Sequence, residues 1–196
     1  MRTAVFASGG GSNFQAIVDA RKSGIIDSRV VLCISNCEQA GVLERARKEN
    51  IDSIVIRSEQ FEKNGEFSLA LLSCLAEYEI DLIALAGYMK KIPSRLIQAY
   101  PNRILNMHPA LLPDFGGKGM YGMHVHNSVI LSGTNCSGAT VHFVDEGYDT
   151  GSVLLQRRIP VLRTDTPETL AARVLEIEHE LYPAAIKLLE QRTVDS

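Results

Sequence analysis

The sequence predicts an α/β domain: a Rossmann-like, mostly parallel, twisted sheet with helices on both faces and an antiparallel C-terminal extension. Three observations carry this. Short apolar runs of strand type alternate with stretches of helical spacing from residue 3 onward. The run "RVVLCIS" (29–35) is nearly continuously apolar, as a parallel strand buried on both faces requires. Late in the chain, "SGATVHFVDEG" and "SVLLQRRIPVLR" are extended with no helical pattern between them, so they should pair antiparallel.

Taken in order, "TAVFAS" (3–8) reads as the first strand and breaks at three glycines. A helix follows over 12–24, with Phe14, Ile17, Val18 and Ala20 on one side and Gly24 placed to end it. After the 29–35 strand come a helix over 40–49, a strand over 52–57, a long helix over 67–79 and a strand over 81–87. A short helix near 94–100 precedes the strand "RILNMH" (103–108), and a glycine-rich loop leads to a helix near 124–132. The last helix spans 166–191, where Thr166 suits the N-cap, Pro167 the first turn and Glu168 the positive helix end. With no linker, repeat or low-complexity segment, residues 1–196 are expected to form a single domain.

Composition removes several function classes. The chain is 45% apolar and 22% charged with net charge −3, so no basic field invites nucleic acid or an anionic membrane. The four cysteines form no CxxC pair and read as reduced, buried thiols. The N-terminus lacks the apolar core of a signal peptide, and no run approaches the roughly 18 apolar residues of a membrane span. A cytoplasmic protein is expected.

"SGGGSN" (8–13) joins a strand to a helix start. Gly9, Gly10 and Gly11 permit close backbone approach, while Ser12 and Asn13 offer donors beside free N–H groups, which suits a phosphate. The alternative is a tight turn with Ser12 as N-cap. A dinucleotide fingerprint would need a third glycine at position 14, which is Phe14, and no P-loop Gly-Lys-Ser/Thr follows. In "GGKGMYG" (116–122), Lys118 precedes Gly119, so a mobile lid is the better reading than a nucleotide loop. His124 and His126 lack further ligands at metal spacing and read as a surface or helix-entry pair. His179 is expected to be partly exposed and paired with Glu178 or Glu180.

The chemistry concentrates in "ILNMHPALLP" (104–113) and "VHFVDEGYDTG" (141–151). Asn106 and His108 have the same parity, so on a strand they point to one side. Asp145, Glu146 and Asp149 form a solvated turn unless one of them meets His108. A facing carboxylate would raise the imidazole pKa and orient the ring as a general acid. His142 is either a hydrogen-bonded core residue or a further inward-facing group. No serine or cysteine nucleophile has a base beside it in a recognisable motif. Asn, His and Asp without a nucleophile suit direct transfer through a tetrahedral intermediate. Asn106 would donate to the oxyanion, His108 would donate to it or shuttle protons, and Asp149 would tune His108. The residues alone reach acyl-type transfer, or a related addition, to a phosphorylated substrate.

Together, "SGGGSNFQAI", "ERARKENI", "LAGYMKKI", "LNMHPALLP", "VHFVDEGYDTG" and "EHELYP" resemble, in order, the phosphoribosylglycinamide formyltransferases, folate-dependent enzymes of purine biosynthesis. The resemblance runs from about residue 2 to 190. It implies the formyltransferase fold and transfer of the formyl group of the co-substrate 10-formyltetrahydrofolate to the glycyl amine of glycinamide ribonucleotide, with no metal. It implies Asn106, His108 and Asp149 as catalytic residues, Gly10, Gly11, Ser12 and Asn13 around the substrate phosphate, and Glu178 near the ribose. Met89, Lys90, Lys91 and Ile92 would wall the folate pocket with Val144, Asp145, Asp149 and Asn106. Residues 1–100 would then be the phosphate-binding half and 101–196 the catalytic and folate-binding half. Small-molecule partners are implied, without nucleic acid or membrane, for a monomer or homodimer.

Two departures stand out. Lys63 and Asn64 occupy positions where some members carry an arginine for the folate tail; Lys63 could substitute as a point charge but not as a bidentate fork, and Asn64 is the other candidate contact there. "FGGKGMYGMHVH" is longer than the loop expected in many members, and its first half should form a flap by the substrate site. Related folate enzymes share the Asn-x-His-Pro core. Methionyl-tRNA and sugar-nucleotide formyltransferases would need further domains, and formyltetrahydrofolate deformylase an N-terminal regulatory one. This acidic chain of 196 residues is expected to carry none. A non-catalytic nucleotide-binding regulator would need the missing third glycine and would have no use for Asn106, His108 and Asp149 together.

Overall fold

The computed structural model describes residues 1–62 and 65–194. Five parallel strands are built first: β1 (Arg2–Phe6), β2 (Arg29–Ser35), β3 (Asp52–Val55), β4 (Leu82–Leu85) and β5 (Ile104–His108). β6 (Cys136–Phe143) and β7 (Val153–Pro160) then add antiparallel to one edge, giving the order β3-β2-β1-β4-β5-β6-β7. The expected mostly parallel sheet with an antiparallel extension is what forms.

Strand residues alternate between two cores because successive side chains leave a strand on opposite faces. Val5 and Ala7 join one core with α1 (Ser12–Lys22), α2 (Gly41–Lys48), α5 (Met123–Ser132) and α6 (Pro167–Val194). Ala4 and Phe6 join the other, under α3 (Glu66–Glu77) and α4 (Ser94–Ala99). On β5, Leu105 and Met107 enter the first core and Ile104 the second. Asn106 and His108 share the parity of Ile104, so they leave the sheet on the side away from α1, α5 and α6.

Element ends move by one to three residues from the sequence reading, and two helix ends show the local cause. α1 stops with a Schellman motif: Gly24 has φ 73°, its N–H reaches the Arg21 carbonyl, and Ile25 N–H reaches that of Ala20. The predicted N-cap Thr166 accepts from the Thr169 N–H at 3.3 Å, while Thr169 Oγ1 accepts from the Thr166 N–H at 2.8 Å. All four cysteines are free, but of the four expected to be buried only Cys33 is; Cys37, Cys74 and Cys136 lie nearer the surface and are partly exposed. Burial pushes the Cys33 thiol up to about 12.

The switch point of the sheet lies between β1 and β4, whose connections leave in opposite directions. The loops after these strands are tied there: Ser8 N–H donates to the Gly87 carbonyl at 3.0 Å, and Met89 N–H to Ser8 Oγ at 2.8 Å. Tyr182 on α6, fully buried, clamps the same region. Its hydroxyl donates between the carbonyls of Leu85 and Leu105, 3.0 and 3.1 Å away. Tyr182→Phe should therefore cost about 1–2 kcal/mol of stability in urea unfolding, since it leaves buried carbonyls without their donor. A loss under about 0.5 kcal/mol would show the clamp to be idle.

Candidate active site

At the carboxyl ends of β4 and β5 lies a cavity of about 740 Å³, a size suited to small molecules. Its wall gathers Asn13, Asn106, His108, Asp149 and Glu178. Met89, Lys90, Lys91 and Ile92 border it too, with Val144 and Asp145. Gly10 and Gly11 line the turn before α1 rather than the cavity. Ser12 borders a second cavity, about 720 Å³, between α1 and α6. Asn64 and Lys63 lie outside the described residues.

The centre is built around Asp149. One carboxylate oxygen lies 3.6 Å from His108 Nδ1 and accepts from Gly117 N–H at 2.9 Å. The other lies 3.6 Å from His142 Nε2 and 3.4 Å from Asn106 Nδ2. Asp149 holds φ 57°, a left-handed conformation that aspartate tolerates better than most residues. Gly151 makes the turn possible, because a Cβ there would strike the Phe143 carbonyl oxygen.

Asp145 does something else. It accepts from Thr150 Oγ1 at 2.6 Å and Gly147 N–H at 3.0 Å, bracing the turn that carries Asp149. Of the two acids, Asp149 is the one beside His108.

Carbonyl partners fix the ring tautomers. His108 Nε2 is 2.8 Å from the Phe115 carbonyl, which can only accept, so Nε2 carries the hydrogen. Nδ1 then presents its lone pair toward Asp149 in the neutral ring. His142 is reversed. Nδ1 donates to the Phe143 carbonyl at 2.8 Å, and Nε2 accepts from Asn106 Nδ2 at 3.1 Å. His142, left open between a core residue and a site residue, faces the site.

Burial lowers the His108 pKa and outweighs Asp149 and the Phe115 carbonyl, which raise it. The sequence reading expected the opposite direction, because it counted the carboxylate and not the desolvation. For Asp149, burial favours the neutral acid, but His142, His108 and the Gly117 N–H together hold its pKa below the ordinary value.

The glycine turn after β1 is also specific. Gly11, not Ser12, is the α1 N-cap, and its φ is 77°. A Cβ there would come within 2.7 Å of Val42 on α2. Arg45 Nε donates to the Gly10 carbonyl at 2.8 Å, and no side chain caps the first N–H groups of α1. Asn13 Nδ2 donates to Glu178 at 2.6 Å, and both side chains are buried.

Three further sequence expectations are refined. His124 and His126 both lie at the start of α5, as a helix-entry pair would, but they are not both at the surface: His124 is exposed and meets the Tyr121 ring edge-on, while His126 is 5% exposed and borders the main cavity. Val125 and Val129 at helical spacing mark the buried side of α5 next to His126, a signal present in the sequence. His179 Nε2 is buried without a hydrogen-bond partner rather than paired with glutamate, and burial with nearby Arg45 lowers its pKa. The base of the glycine-rich loop, expected to be a mobile lid, is anchored through Phe115 to His108 and through Gly117 to Asp149. Among the described residues, no group of three His, Cys, Asp or Glu side chains is placed to hold a metal ion.

Burial raises the Glu178 pKa to about 7, against the opposing hydrogen bond from Asn13. A raised folded pKa means that the stability from this group is complete below the unfolded value of 4.5 and is lost as pH rises through 7. Relative to Glu178→Gln, the wild type should lose up to about 3 kcal/mol across that window, followed by urea unfolding at stepped pH. Parallel curves for the two proteins would contradict the buried-acid assignment.

The formyl transferase family profile matches residues 1–186. The phosphoribosylglycinamide formyltransferase of Bacillus subtilis (strain 168) is 42% identical over 186 residues, 95% of this chain and 93% of that protein. The chloroplastic phosphoribosylglycinamide formyltransferase of Vigna unguiculata is 48% identical over 194 residues, or 98% of this chain. This chain spans 62% of the length of that plant relative. Glycinamide ribonucleotide transformylase 1 from Symbiobacterium toebii superposes with a TM-score of 0.91 at 40% identity, over 97% of this chain and 88% of that one. The sheet order, the cavity at the strand ends and these likenesses converge, and the chain belongs to the formyl transferase family.

Proposed function

We propose that this protein transfers the formyl group of 10-formyltetrahydrofolate to the amine of N1-(5-phospho-D-ribosyl)glycinamide. The products are the formylglycinamide ribonucleotide and tetrahydrofolate, a step of de novo purine biosynthesis. The observation that carries the reading is the cluster of Asn106, His108 and His142 around Asp149, facing a cavity. Its two ends differ in chemistry. Asn13 and Glu178, beside the free N–H groups of α1, suit a phosphorylated ribose. Met89 to Ile92 and the turn from Val144 to Asp149 suit a flat heterocycle held between backbone segments. At the rim of that end, Lys91 sits 5.3 Å from the Tyr148 ring centroid.

In this reading the neutral glycyl amine attacks the formyl carbon, and a C–N bond forms as the carbonyl oxygen becomes an oxyanion. Asn106, oriented by His142, directs its more loosely held N–H, the one 3.4 Å from Asp149, toward that oxygen. The C–N10 bond then breaks and the electron pair returns to tetrahydrofolate. A proton leaves the amine nitrogen and one reaches N10. His108 Nδ1 is the basic position beside Asp149 that can carry it. The sequence reading left His108 either to donate to the oxyanion or to shuttle protons. The hydrogen bond from Nε2 to Phe115 favours the shuttle.

The substrates are small molecules, and we place the protein in the cytoplasm as a monomer or homodimer. Four free thiols accord with a reducing compartment, and among the described residues no helix is long and apolar enough to cross a membrane.

The test is a spectroscopic assay with a 10-formyl folate analogue, with and without the ribonucleotide. Transfer should require the amine. Deformylation without it would instead indicate a hydrolase. Asp149→Asn should retain the fold by circular dichroism yet lower kcat by ~10²-fold or more. Normal turnover in that variant, with Asp145→Asn inactive, would reverse the choice of carboxylate. Replacing Ser12 and Asn13 together with alanine should raise KM for the ribonucleotide and leave that for the folate unchanged. Equal losses for both ligands would refute the division of the cavity.

A further inference from the structure

His126 is the buried titratable group that this mechanism leaves without a task. It is 5% exposed on α5, borders the main cavity, and has a buried Nδ1 with no hydrogen-bond partner. None of the described hydrogen bonds reaches its other ring nitrogen either. A core histidine is ordinarily satisfied, because an unpartnered polar atom out of water carries a desolvation cost. His108 and His142 both have carbonyl partners, so the contrast lies within one cavity.

Its position points to one end of that cavity. Val125 and Val129, flanking His126 on α5, pack in the same core as Leu170 and Val174 of α6. α6 in turn carries Glu178, the partner of Asn13. The wall formed by Met89 to Ile92 and the 144–149 turn lies on other elements. We infer that His126 is a substrate-contacting residue of the ribonucleotide end, where a ring nitrogen takes a hydrogen bond from the N–H groups of the glycinamide arm. The inference rests on the proposed reading of the cavity. Burial, together with the charge His108 would carry, lowers the His126 pKa, which keeps one ring nitrogen as an acceptor and the other as a donor. The contact would steer the amine toward the formyl carbon without taking its proton. His126 therefore contributes selectivity for an amide- and amine-bearing ribonucleotide.

The experiment uses the full chain and two variants, His126→Leu and His126→Asn. His126→Leu should raise KM for glycinamide ribonucleotide about tenfold, the scale of one lost neutral hydrogen bond, with KM for the 10-formyl folate analogue within about twofold. His126→Asn should recover part of the loss. The melting temperature of His126→Leu should hold or rise, because an unpartnered polar group has been replaced by an apolar one. A structural role would lower it instead. As a readout independent of that variant's folding, ring-¹⁵N-histidine wild type should show one resonance, absent in His126→Asn, that shifts with ribonucleotide alone and not with the folate analogue alone. Wild-type transfer with an unchanged KM in His126→Leu, or an unmoved ring resonance, overturns this inference only. Absence of transfer by the wild type overturns the reading beneath it as well.

Discussion

The site depends on one partly buried carboxylate. Asp149 draws together an imidazole from β5, an imidazole from β6, an amide from β5 and a backbone N–H from the glycine-rich loop. A carboxylate partly withdrawn from water is unfavourable by itself, and the Gly117 and Asn106 N–H groups, with the charge an imidazole gains on protonation, offset that cost. The turn that delivers it is correspondingly constrained. Asp149 sits at positive φ, Gly151 has no room for a side chain, and Asp145 braces the turn through Thr150 and Gly147. The antiparallel extension matters for the same reason. β6 brings His142 opposite Asn106 in register, and its following turn folds back over the face from which Asn106 and His108 project.

The two histidines serve Asp149 in opposite tautomers, and each orientation has a backbone cause. His142 is turned by the Phe143 carbonyl so that Nε2 can accept from Asn106. That bond fixes which side of the Asn106 amide bears the donors. His108 is turned by the Phe115 carbonyl so that its basic nitrogen faces the carboxylate. Protonation there would form an ion pair with Asp149, while burial opposes it, so the two act on the ring in opposite directions and burial is the larger. A group opposed in this way can gain and lose a proton during turnover.

Much of this was legible in the sequence. The alternation of apolar runs gave the sheet, and the equal parity of Asn106 and His108 put them on one face. The Asp-x-Gly at 149–151 is also a geometric signature, since the aspartate takes a left-handed backbone and the glycine admits the Phe143 carbonyl. What was not legible depends on tertiary packing. Desolvation reverses the expected pKa direction for His108, and no local pattern reports how deeply a strand end is buried. The α1 cap fell to Gly11 rather than Ser12, and position 11 must be a glycine because Val42, 31 positions away in sequence, closes on that turn. Phe115 and Gly117 enter the site through backbone atoms, so side-chain chemistry could not point to them.

Those backbone contacts separate two demands on one ring. The loop base is held by His108 Nε2, which bears its hydrogen in the neutral ring and keeps it in the imidazolium. The hydrogen bond to Phe115 therefore persists in both protonation states. Any proton that comes and goes does so at Nδ1, next to Asp149. Asp149 holds the loop a second time through the Gly117 N–H, using the oxygen that also faces Nδ1. That carboxylate stays ionised because its pKa is held low, so this second tether also survives a change at His108. Proton transfer and loop anchoring thus share residues without sharing atoms that must change state, and the cavity wall can stay in place while the chemistry runs beside it.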